Sequence, residues 1–470
     1  MTIAADPLLA AWDETLSRRG ADPAIFDAQG RVLFRFRELE ALSRSCALNF
    51  SAGEILALQI GNHPHWPAWF LAALRQGVVV LPLEQTVSAQ ERTSAIRTCR
   101  AAGLMTAPDK PIERLAEPGA IDWDDRPPVL LKLTSGTTAA PRAIRFRSTQ
   151  LLADAAQICD TMGIGERDLN FGVIPFSHSY GFSNLITPLL VRGVPLVVSS
   201  DRMPRAVLED LARTEATVFP GVPLFYQAFA EMPEAPALPR LRLCISAGAP
   251  LTRPVARNFR ARFGLAIHSF YGASECGGIC YDRAATDERE GFVGSARKGV
   301  TLLPNESGVS ATQLEVRSAA VGDGYFPEPE ALKLSAGVFR PDDLVEMNPE
   351  GVRLVGRLSD VINVAGKKVN PAEVEAHLLS FAGVHQAVVF GRASLSRNEE
   401  VTACVVAASG IEEAALLQFC RERLRGWQVP KRVFFVAQLP ANERGKVSRR
   451  AIAAHFAPGA DRPKNSEALT

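Results

Sequence analysis

The sequence lacks an excess of charge of one sign. Its 470 residues contain 52 Lys and Arg against 51 Asp and Glu, a formal net charge of +1. Proteins that bind nucleic acid or an anionic membrane through a broad surface carry a strong basic excess, so both classes are excluded as partners. Any anion-binding site must therefore be local.

Paired cysteines and metal-binding spacings are also missing. The eight cysteines are scattered from Cys46 to Cys420, only Cys276 and Cys280 lie close together, and the seven histidines are not interleaved with them at the spacing of a zinc site. We expect reduced thiols and a cytoplasmic location.

No hydrophobic run is long enough to suggest a membrane span. The most apolar stretch, residues 67–83, is interrupted by Arg75 and Gly77. Residues 1–16 contain Asp6 and Asp13 and have no basic patch followed by an apolar core, so we expect no signal peptide.

What the chain does contain is enough apolar sequence for more than one core, with 47% hydrophobic residues. Residues 55–60, 64–76 and 78–83 read as strand, helix and strand. Further short apolar runs that end in loops lie at residues 129–133, 196–199, 218–219 and 241–245. This pattern predicts parallel α/β sheets with ligands at the strand ends.

The pattern changes after Gly356 to a shorter α+β cycle. Asn370, Pro371 and Glu373 occupy the N-cap, first-turn and capping-box positions of a helix that should run to about Leu379. We predict strands at 387–390, 401–406 and 432–436 and a helix at 412–424. The predicted fold is α/β, with a large N-terminal domain (1–359) of layered, mostly parallel sheets plus a β-subdomain, and a small α+β C-terminal domain (360–470).

The segment 133–142 is the strongest candidate for binding a polyphosphate. Hydroxyl residues surround a glycine directly after a buried strand, which supplies many N–H and O–H donors, and Arg142 adds a fixed positive charge. A P-loop kinase is excluded because Pro141 and Arg142 stand where its second Gly and its Lys would be. The predicted phosphate-binding residues are Thr134, Ser135, Gly136, Thr137, Thr138 and Arg142.

This segment resembles the phosphate loop of the acyl-adenylate-forming superfamily, which includes acyl-CoA synthetases, peptide-synthetase adenylation domains and firefly luciferase. The family's other motifs follow in the family's order, at residues 246–251, 271–275, 341–344, 356–360 with 366–369, and 445–449. Six motifs in order are highly specific.

The resemblance implies an ATP site. Tyr271 would stack on adenine, opposite Gly248 and Ala249, and Asp343 would accept hydrogen bonds from the ribose hydroxyls, with Arg357 on the ribose and phosphate side. Asp342 is an alternative to Asp343 for the ribose contact. Asp343 and Arg357 could instead form only a surface ion pair, and Tyr271 could instead be a core aromatic residue. The implied nucleotide site also includes Pro250, Gly272 and Ser274, and the implied Mg²⁺ ligands are Glu275 and Thr138.

The resemblance also assigns the chemistry. Lys446 would bridge the substrate carboxylate and the α-phosphate, and His178 would orient the carboxylate rather than act as a base, unless it is only structural. The candidate acyl-pocket residues are Tyr180, Phe182, Val222, Gly277, Gly278 and Ile279. Because this set is mainly apolar and offers no partner for an ammonium group, we favour an aryl or aliphatic acid over an amino acid.

The second step implied by the resemblance is transfer of the acyl group to a thiol. The C-terminal domain would be mobile, swinging about Asp360 to present Gly366, Lys367 and Lys368 to the thiol. CoA is the default acceptor, and the phosphopantetheine of a carrier protein or an amine are alternatives. A nucleotide-binding pseudoenzyme that acts through protein contacts is the alternative from another class.

Departures from the family pattern bear on the rate more than on the type of reaction. Ala139 and Pro341 stiffen loops that are usually supple. The other departures are Arg142 for Lys, Ser274 for Thr, Asp342 for Gly and Asn363 for Lys.

Overall fold

The computed structural model describes residues 6–115, 121–123, 126–134, 142–286, 289–305, 311–335, 337–394, 398–439 and 449–456. The chain divides into two compact units. The first comprises Met1–Leu303, Glu315–Pro341 and Pro349–Val352, and the second comprises Pro304–Leu314, Asp342–Asn348 and Arg353–Thr470. The second unit therefore includes segments on the N-terminal side of Asp360, the predicted hinge.

The strands, in chain order, are β1 Pro23–Phe26, β2 Val32–Arg35, β3 Ile55–Leu58, β4 Val79–Pro82, β5 Gly103–Met105, β6 Glu113–Arg114, β7 Leu130–Leu133, β8 Ala143–Phe146, β9 Asn170–Gly172, β10 Leu196–Val198, β11 Val218–Gly221, β12 Leu243–Ser246, β13 Ile267–Ala273, β14 Gly277–Tyr281, β15 Phe292–Ala296, β16 Val300–Asn305, β17 Thr312–Ser318, β18 Gly324–Phe326, β19 Leu334–Ser335, β20 Val338–Phe339, β21 Asp343–Asn348, β22 Gly351–Arg357, β23 Ile362–Val364, β24 Lys367–Val369, β25 Val384–Ser394, β26 Asn398–Ala407 and β27 Arg432–Phe435.

The helices are α1 Pro7–Arg19, α2 Phe36–Ser45, α3 Trp66–Gln76, α4 Ala89–Cys99, α5 Ser148–Met162, α6 Ser179–Gly181, α7 Thr187–Arg192, α8 Pro204–Arg213, α9 Pro223–Glu231, α10 Arg253–Phe263, α11 Pro371–Leu379, α12 Glu413–Arg423 and α13 Arg449–His455, with a π-helical turn at Phe182–Ile186 and a 3₁₀ turn at Leu358–Asp360.

One sheet of the first unit places β9, β11 and β12 side by side. β1, β10, β9, β11, β12 and β13 follow one another in the sheet and run parallel, and the antiparallel strand β14 continues it beside β13. Parallel strands of this kind are buried on both faces, as the apolar runs predicted. Their carboxyl ends share one edge, which is where ligands bind in such sheets.

A second, seven-stranded sheet has the order β18-β8-β7-β4-β3-β5-β6. The predicted strand–helix–strand at 55–83 is confirmed: β3 and β4 are parallel, and α3 ends at Gly77, whose φ of +68° is the left-handed conformation common at helix ends. β7 and β8 are antiparallel neighbours that enter and leave the predicted phosphate loop.

The second unit contains a sheet in which β24, β23, β26 and β25 are neighbours and β27 pairs with β26. Val369, Val374, Val389, Leu416 and other apolar side chains of this sheet and of α11 and α12 form its core. The predicted strand and helix positions after residue 370 are confirmed.

The capping box predicted for α11 is wrong. Asn370 caps the helix by accepting a hydrogen bond from the Ala372 N–H, but the Glu373 carboxylate accepts one from Gln428 Nε2 at 2.9 Å. A tertiary partner thus replaces the local one.

Among the described residues, no helix is both long enough and apolar enough to span a membrane.

Candidate active site

The carboxyl ends of β9, β11 and β12 bring several predicted site residues together. The Tyr180 hydroxyl lies 3.3 Å from the Gly221 carbonyl at the end of β11 and 3.1 Å from the Ile245 carbonyl in β12. A Cβ added to Gly248, which has a φ of +83°, would lie 3.7 Å from Val222 Cγ1. The helix after β9, the acyl-pocket candidate Val222 and Gly248, which is predicted to lie against adenine, therefore meet at one edge of the sheet.

Residues 248–250 are available to a ligand at this edge. Gly248 and Pro250 are exposed and Ala249 is half-buried. The positive φ of Gly248 is a conformation that a side chain would disfavour, so the backbone approaches a ligand here without a Cβ in the way.

His178 lies at the start of the helix that follows β9. Its Nδ1 accepts a hydrogen bond from the Tyr180 N–H at 3.1 Å and caps the short helix α6. Because Nδ1 is an acceptor, the neutral ring carries its proton on Nε2, which makes Nε2 a hydrogen-bond donor. The helix continues through the π-helical turn Phe182–Ile186, a distortion that often occurs at functional sites.

The predicted phosphate loop is anchored at both ends. The Thr134 N–H and hydroxyl both donate to the Arg142 carbonyl, at 2.9 and 3.2 Å. The predicted residues Ser135, Gly136, Thr137 and Thr138, and the departure at Ala139, lie outside the described residues.

Arg142 and Glu275 belong to one polar network. The Arg142 guanidinium stacks 4.3 Å from the Tyr325 ring centroid and donates to Glu330 at 2.7 Å, and this hydrogen bond raises the pKa of Arg142. The Tyr325 hydroxyl donates to Glu275 Oε1 at 3.0 Å. Tyr325, which the sequence analysis did not select, thus links the phosphate-loop cation to the predicted metal ligand.

Glu275 fits the role of a Mg²⁺ ligand. It lies in the three-residue loop between β13 and β14, is half-buried, and its carboxylate is oriented by Tyr325. In the described part of the chain no cluster of three or more His, Cys, Asp or Glu could hold a metal by itself. Mg²⁺ that is bound together with a nucleotide is usually held by one or two carboxylates and the phosphates, so a single carboxylate such as that of Glu275 fits this role.

Tyr271 and Gly272 lie in β13 of this β13–β14 hairpin. Tyr271 is buried and pairs with Cys280, while Gly272 is exposed and pairs with Gly278. A Cβ at Gly272 would lie 2.6 Å from the Gly277 carbonyl oxygen, so a side chain has no room there. Ser274 begins the loop and is half-buried.

Gly277 and Gly278 in β14 lie against buried charges. A Cβ at Gly277 would approach Asp154 Oδ1 to 2.2 Å, and one at Gly278 would lie 2.5 Å from Arg297 Nε. Arg297 Nη2 donates to Asp154 Oδ1 at 3.1 Å and to the Gly278 carbonyl at 2.6 Å. Ile279, the next acyl-pocket candidate, is buried.

Lys132 is a second buried cation that the sequence analysis missed. Its Nζ lies 3.3 and 3.4 Å from the Ser179 and Ser183 hydroxyls and 5.3 Å from the centroid of the Phe182 ring. Burial lowers its pKa to about 8, against the opposing effects of Asp154 and Cys276. A lysine within the apolar run of β7 was the signal that could have revealed it.

In the second unit Asp343 and Arg357 form an ion pair. Arg357 Nε donates to Asp343 Oδ1 at 2.9 Å, and the Arg357 side chain is exposed. This ion pair is the alternative arrangement considered from the sequence. Asp342, the rival residue, accepts a hydrogen bond from Leu358 N–H through its backbone carbonyl.

Asp360 is paired with the segment that follows Lys446. Arg449 Nη1 donates to Asp360 Oδ2 at 2.5 Å, and Arg449 also donates twice to Glu375 from Nη2, at 2.9 and 2.6 Å. Although burial alone would lower the pKa of Arg449, Glu375 and Asp360 raise it. Lys446 itself lies outside the described residues.

Gly366 lies in a two-residue turn that projects its neighbours outward. Ala365 and Gly366 have φ values of +50° and +82°, as a type I′ hairpin turn requires. Lys367 and Lys368 follow and are exposed. The Lys367 ammonium lies 3.7 Å from the centroid of the Trp427 ring.

Known proteins are similar to this chain in sequence and in fold. The sequence pattern of the family described as AMP-binding enzyme matches residues 12–133 and 117–308, and that of the AMP-binding enzyme C-terminal domain matches residues 373–446. The chain belongs to the AMP-binding enzyme family.

Two curated relatives and one solved structure illustrate the range of the AMP-binding enzyme family. The chain is 28% identical to a feruloyl-CoA synthase from Amycolatopsis sp over 442 residues, which cover 86% of this chain and 89% of that one. It is 25% identical to a 3,4-dihydroxybenzoate–[aryl-carrier protein] ligase from Bacillus anthracis, over 82% of this chain and 86% of that one. The ATP-bound crystal structure of MatB from Rhodopseudomonas palustris has a TM-score of 0.82 at 24% identity and covers 96% of this chain and 99% of that one.

These findings confirm three predictions. The resemblance to the acyl-adenylate-forming superfamily and the α/β fold with a small C-terminal domain are confirmed. The prediction of an AMP-forming acid–thiol ligase is confirmed as well.

Proposed function

We propose that this protein activates an aryl or aliphatic carboxylic acid with ATP and transfers the acyl group to CoA. In the first step a carboxylate oxygen attacks the α-phosphorus, the bond to the β-phosphate oxygen breaks, and pyrophosphate leaves. In the second step the CoA sulfur attacks the acyl carbon, the bond to the AMP oxygen breaks, and the thiol loses its proton to water. Each step exchanges one bond at one centre, so atoms and charges balance.

The observation that supports this proposal best is the meeting of three strand ends in the first unit. Tyr180 is held by carbonyls of β11 and β12, Gly248 lies beside Val222, and His178 caps the same helix. An acid bound against Tyr180 and Val222 would have its carboxylate near His178 and the adenylate near Gly248. Because proximity of this kind makes the reaction effectively unimolecular, it is a large part of the catalysis expected here.

His178 would orient the carboxylate through its Nε2–H. The carboxylate is already ionised at neutral pH, so it needs a donor that fixes its direction and no base. Lys446 would neutralise the repulsion between the carboxylate and the α-phosphate. Glu275 would hold Mg²⁺, which supplies positive charge to the phosphate oxygens.

The second half-reaction is proposed to follow a rotation of the small C-terminal domain, residues 360–470, about Asp360. Asp343 and Arg357 would contact the ribose, and the exposed residues Gly366, Lys367 and Lys368 would face the thiol substrate. We also propose a cytoplasmic location, which is supported by eight cysteines that are all unpaired and buried in the described residues.

A screen of pyrophosphate release tests the adenylation step. The purified full chain, MgATP and one acid at a time from benzoates, cinnamates, fatty acids and amino acids should release pyrophosphate with an aryl or aliphatic acid. Strong activity with amino acids would contradict the proposed substrate class. If ATP binds but no acid supports release, the pseudoenzyme alternative is correct.

A second experiment identifies the acceptor. Since one relative in the comparison is named as a carrier-protein ligase, CoA consumption should be compared with the mass shift of a phosphopantetheinylated carrier protein and with amide formation, using the best acid from the screen. CoA should be consumed at the rate of pyrophosphate release. Carrier loading or amide formation that is faster than CoA consumption would overturn the choice of CoA.

A further inference from the structure

The buried charges beneath the acyl-pocket candidates do not balance. Lys132 is 3% exposed and Arg297 is 2% exposed, and together they face one buried carboxylate, Asp154. Within the described residues Lys132 forms no ion pair, and Nε and Nη1 of Arg297 have no hydrogen-bond partner. The cluster therefore holds one positive charge more than it neutralises, which is costly in a buried environment.

This cluster borders the residues assigned to the acyl group. Lys132 Nζ lies against the Phe182 ring, Gly277 lies against Asp154, and Gly278 lies against Arg297. The nearest oxygen atoms to Lys132 are the Ser179 and Ser183 hydroxyls, at the long distances of 3.3 and 3.4 Å. An ammonium group has three N–H donors, so Lys132 can accommodate a further oxygen acceptor.

The position of Lys132 along the helix sets where that acceptor would be. Ser179 follows His178 directly, and Ser183 lies four residues further on, about 6 Å along a helix. Lys132 Nζ lies within 3.4 Å of both hydroxyls, so an acid whose carboxylate lies near His178 and whose other end extends beside this helix would bring that end to the Lys132 ammonium. One aromatic ring with substituents at opposite ends spans a similar length.

We propose that Lys132 selects acids that carry a second oxygen-bearing group at the end opposite the reacting carboxylate. The second group accepts a hydrogen bond from the Lys132 ammonium and supplies the acceptor that the cluster lacks. A ring hydroxyl and a second carboxylate share this chemistry. The proposal rests on the proposed function, because it concerns the acid that is adenylated.

The test compares matched acids. Pyrophosphate release is measured with benzoate, 4-hydroxybenzoate and terephthalate, and with pentanoate, 5-hydroxypentanoate and glutarate, for the wild type and for Lys132→Met. We expect the wild type to have at least a tenfold higher kcat/KM for an oxygenated acid than for its parent. In Lys132→Met this ratio should fall at least tenfold, while kcat/KM for the parent acid changes less than threefold. The preferred member of each set distinguishes the hydroxyl from the carboxylate.

Controls separate the proposal from a general effect on folding. Lys298→Met makes the same substitution at an exposed lysine and should leave the ratio of kcat/KM values for oxygenated and parent acids unchanged. Lys132→Gln keeps a hydrogen-bond donor, so it should retain part of the preference for oxygenated acids that Lys132→Met loses. ATP binding by calorimetry and circular dichroism check that each variant folds. If neither variant at residue 132 folds, the proposal is judged on the wild type alone, by the ratio of kcat/KM for an oxygenated acid to kcat/KM for its parent acid.

Three results would count against a role for Lys132 or for the whole assignment. The selection by Lys132 is overturned if the wild type prefers the parent acids. It is also overturned if Lys132→Met leaves the ratio of kcat/KM values for oxygenated and parent acids unchanged. Neither result contradicts the adenylation function. Absence of pyrophosphate release with every acid, including those of the wider screen, overturns the proposed function and this inference with it.

Discussion

Lys132 couples the stability of the first unit to pH. Its folded-state pKa of about 8 is below the ordinary 10.5, so between these values the unfolded chain binds more protons than the folded one. Stability therefore rises with pH in this window, because the cost of the buried charge disappears as the folded-state amine loses its proton. Below about pH 8 that cost is fully present.

Urea unfolding of the wild type and of Lys132→Met from pH 7 to 10.5 measures this effect. Relative to the variant, the wild type should gain up to about 3 kcal/mol in free energy of unfolding over the window. A difference between the two proteins that stays constant with pH would show that Lys132 does not titrate there.

Tyr325 should act on the metal through Glu275. Tyr325→Phe removes the hydrogen bond that the Tyr325 hydroxyl donates to the Glu275 carboxylate, and loss of such a hydrogen bond to a metal ligand commonly weakens metal binding about tenfold or more. We expect the ATP affinity measured by calorimetry to fall about tenfold with Mg²⁺ present and to stay unchanged in EDTA.

The matched control for Tyr325 is Tyr281→Phe, which removes a hydroxyl from another buried tyrosine. Tyr281→Phe should leave the ATP affinity unchanged both with Mg²⁺ and in EDTA. An equal loss of ATP affinity with and without Mg²⁺ in Tyr325→Phe would assign Tyr325 to the nucleotide rather than to the metal.

These residues show how far sequence reasoning reaches at this scale. Motif positions predicted nucleotide roles for Tyr271 and Gly272 and a Mg²⁺ role for Glu275, and the structure places the three residues on one hairpin. Lys132 and Tyr325 were not selected, because their importance comes from contacts with residues 47 to 51 positions away in the chain. No spacing pattern in one sequence contains such contacts.

At the scale of elements, the β13–β14 hairpin depends on glycine at residue 277. Its φ is +68°, and a Cβ would lie 2.2 Å from Asp154, whose carboxylate is held by Arg297. Gly277→Ala should therefore lower the free energy of unfolding by about 2–4 kcal/mol, from backbone strain and overpacking together.

Gly264→Ala separates these two causes for the hairpin prediction. Gly264 has a φ of +70°, and a Cβ there would meet no atom within 4 Å, so only the backbone strain of about 1–2 kcal/mol applies. Urea unfolding should find Gly277→Ala clearly the less stable of the two. Equal losses would mean that Asp154 moves aside at little cost.

Elements were predicted well where the signal is local and less well where it is not. The apolar runs predicted β3, α3 and β4, because the alternation of apolar strand and helix segments depends on residues that are close together in the sequence. The π-helical turn at Phe182–Ile186 was missed. The order of strands in each sheet was not predicted either, since parallel pairing is decided by tertiary packing.

For the whole molecule, the balanced net charge conceals an asymmetry along the chain. Residues 361–470 contain 15 Lys and Arg against 10 Asp and Glu, so this part carries +5 and the rest −4. The excess favours a role for this part near phosphates. Its best candidate residue, Lys446, was selected by motif alone.

The two half-reactions should depend on Lys446 differently. Lys446→Ala should lower the rate of pyrophosphate release about 10²–10³-fold, as expected for loss of a group that stabilises transition-state charge. Thioester formation from supplied acyl-AMP and CoA should be nearly unchanged. Single-turnover assays of each step measure this, and an equal loss in both would refute the division of roles between the steps.

The close approach of Gly277 to Asp154 also constrains how relatives of this protein can evolve. A residue larger than glycine at 277 is disfavoured while Asp154 keeps its position, so the least costly order of mutations begins at another residue. In that order a substitution at residue 154 comes first. It removes the carboxylate that pairs with Arg297, so the buried Arg297 guanidinium would lose its ion-pair partner unless Arg297 is replaced as well. Residues 154, 277 and 297 are therefore expected to change together, and with the acyl-pocket role proposed for Gly277 these three positions would affect the choice of acid.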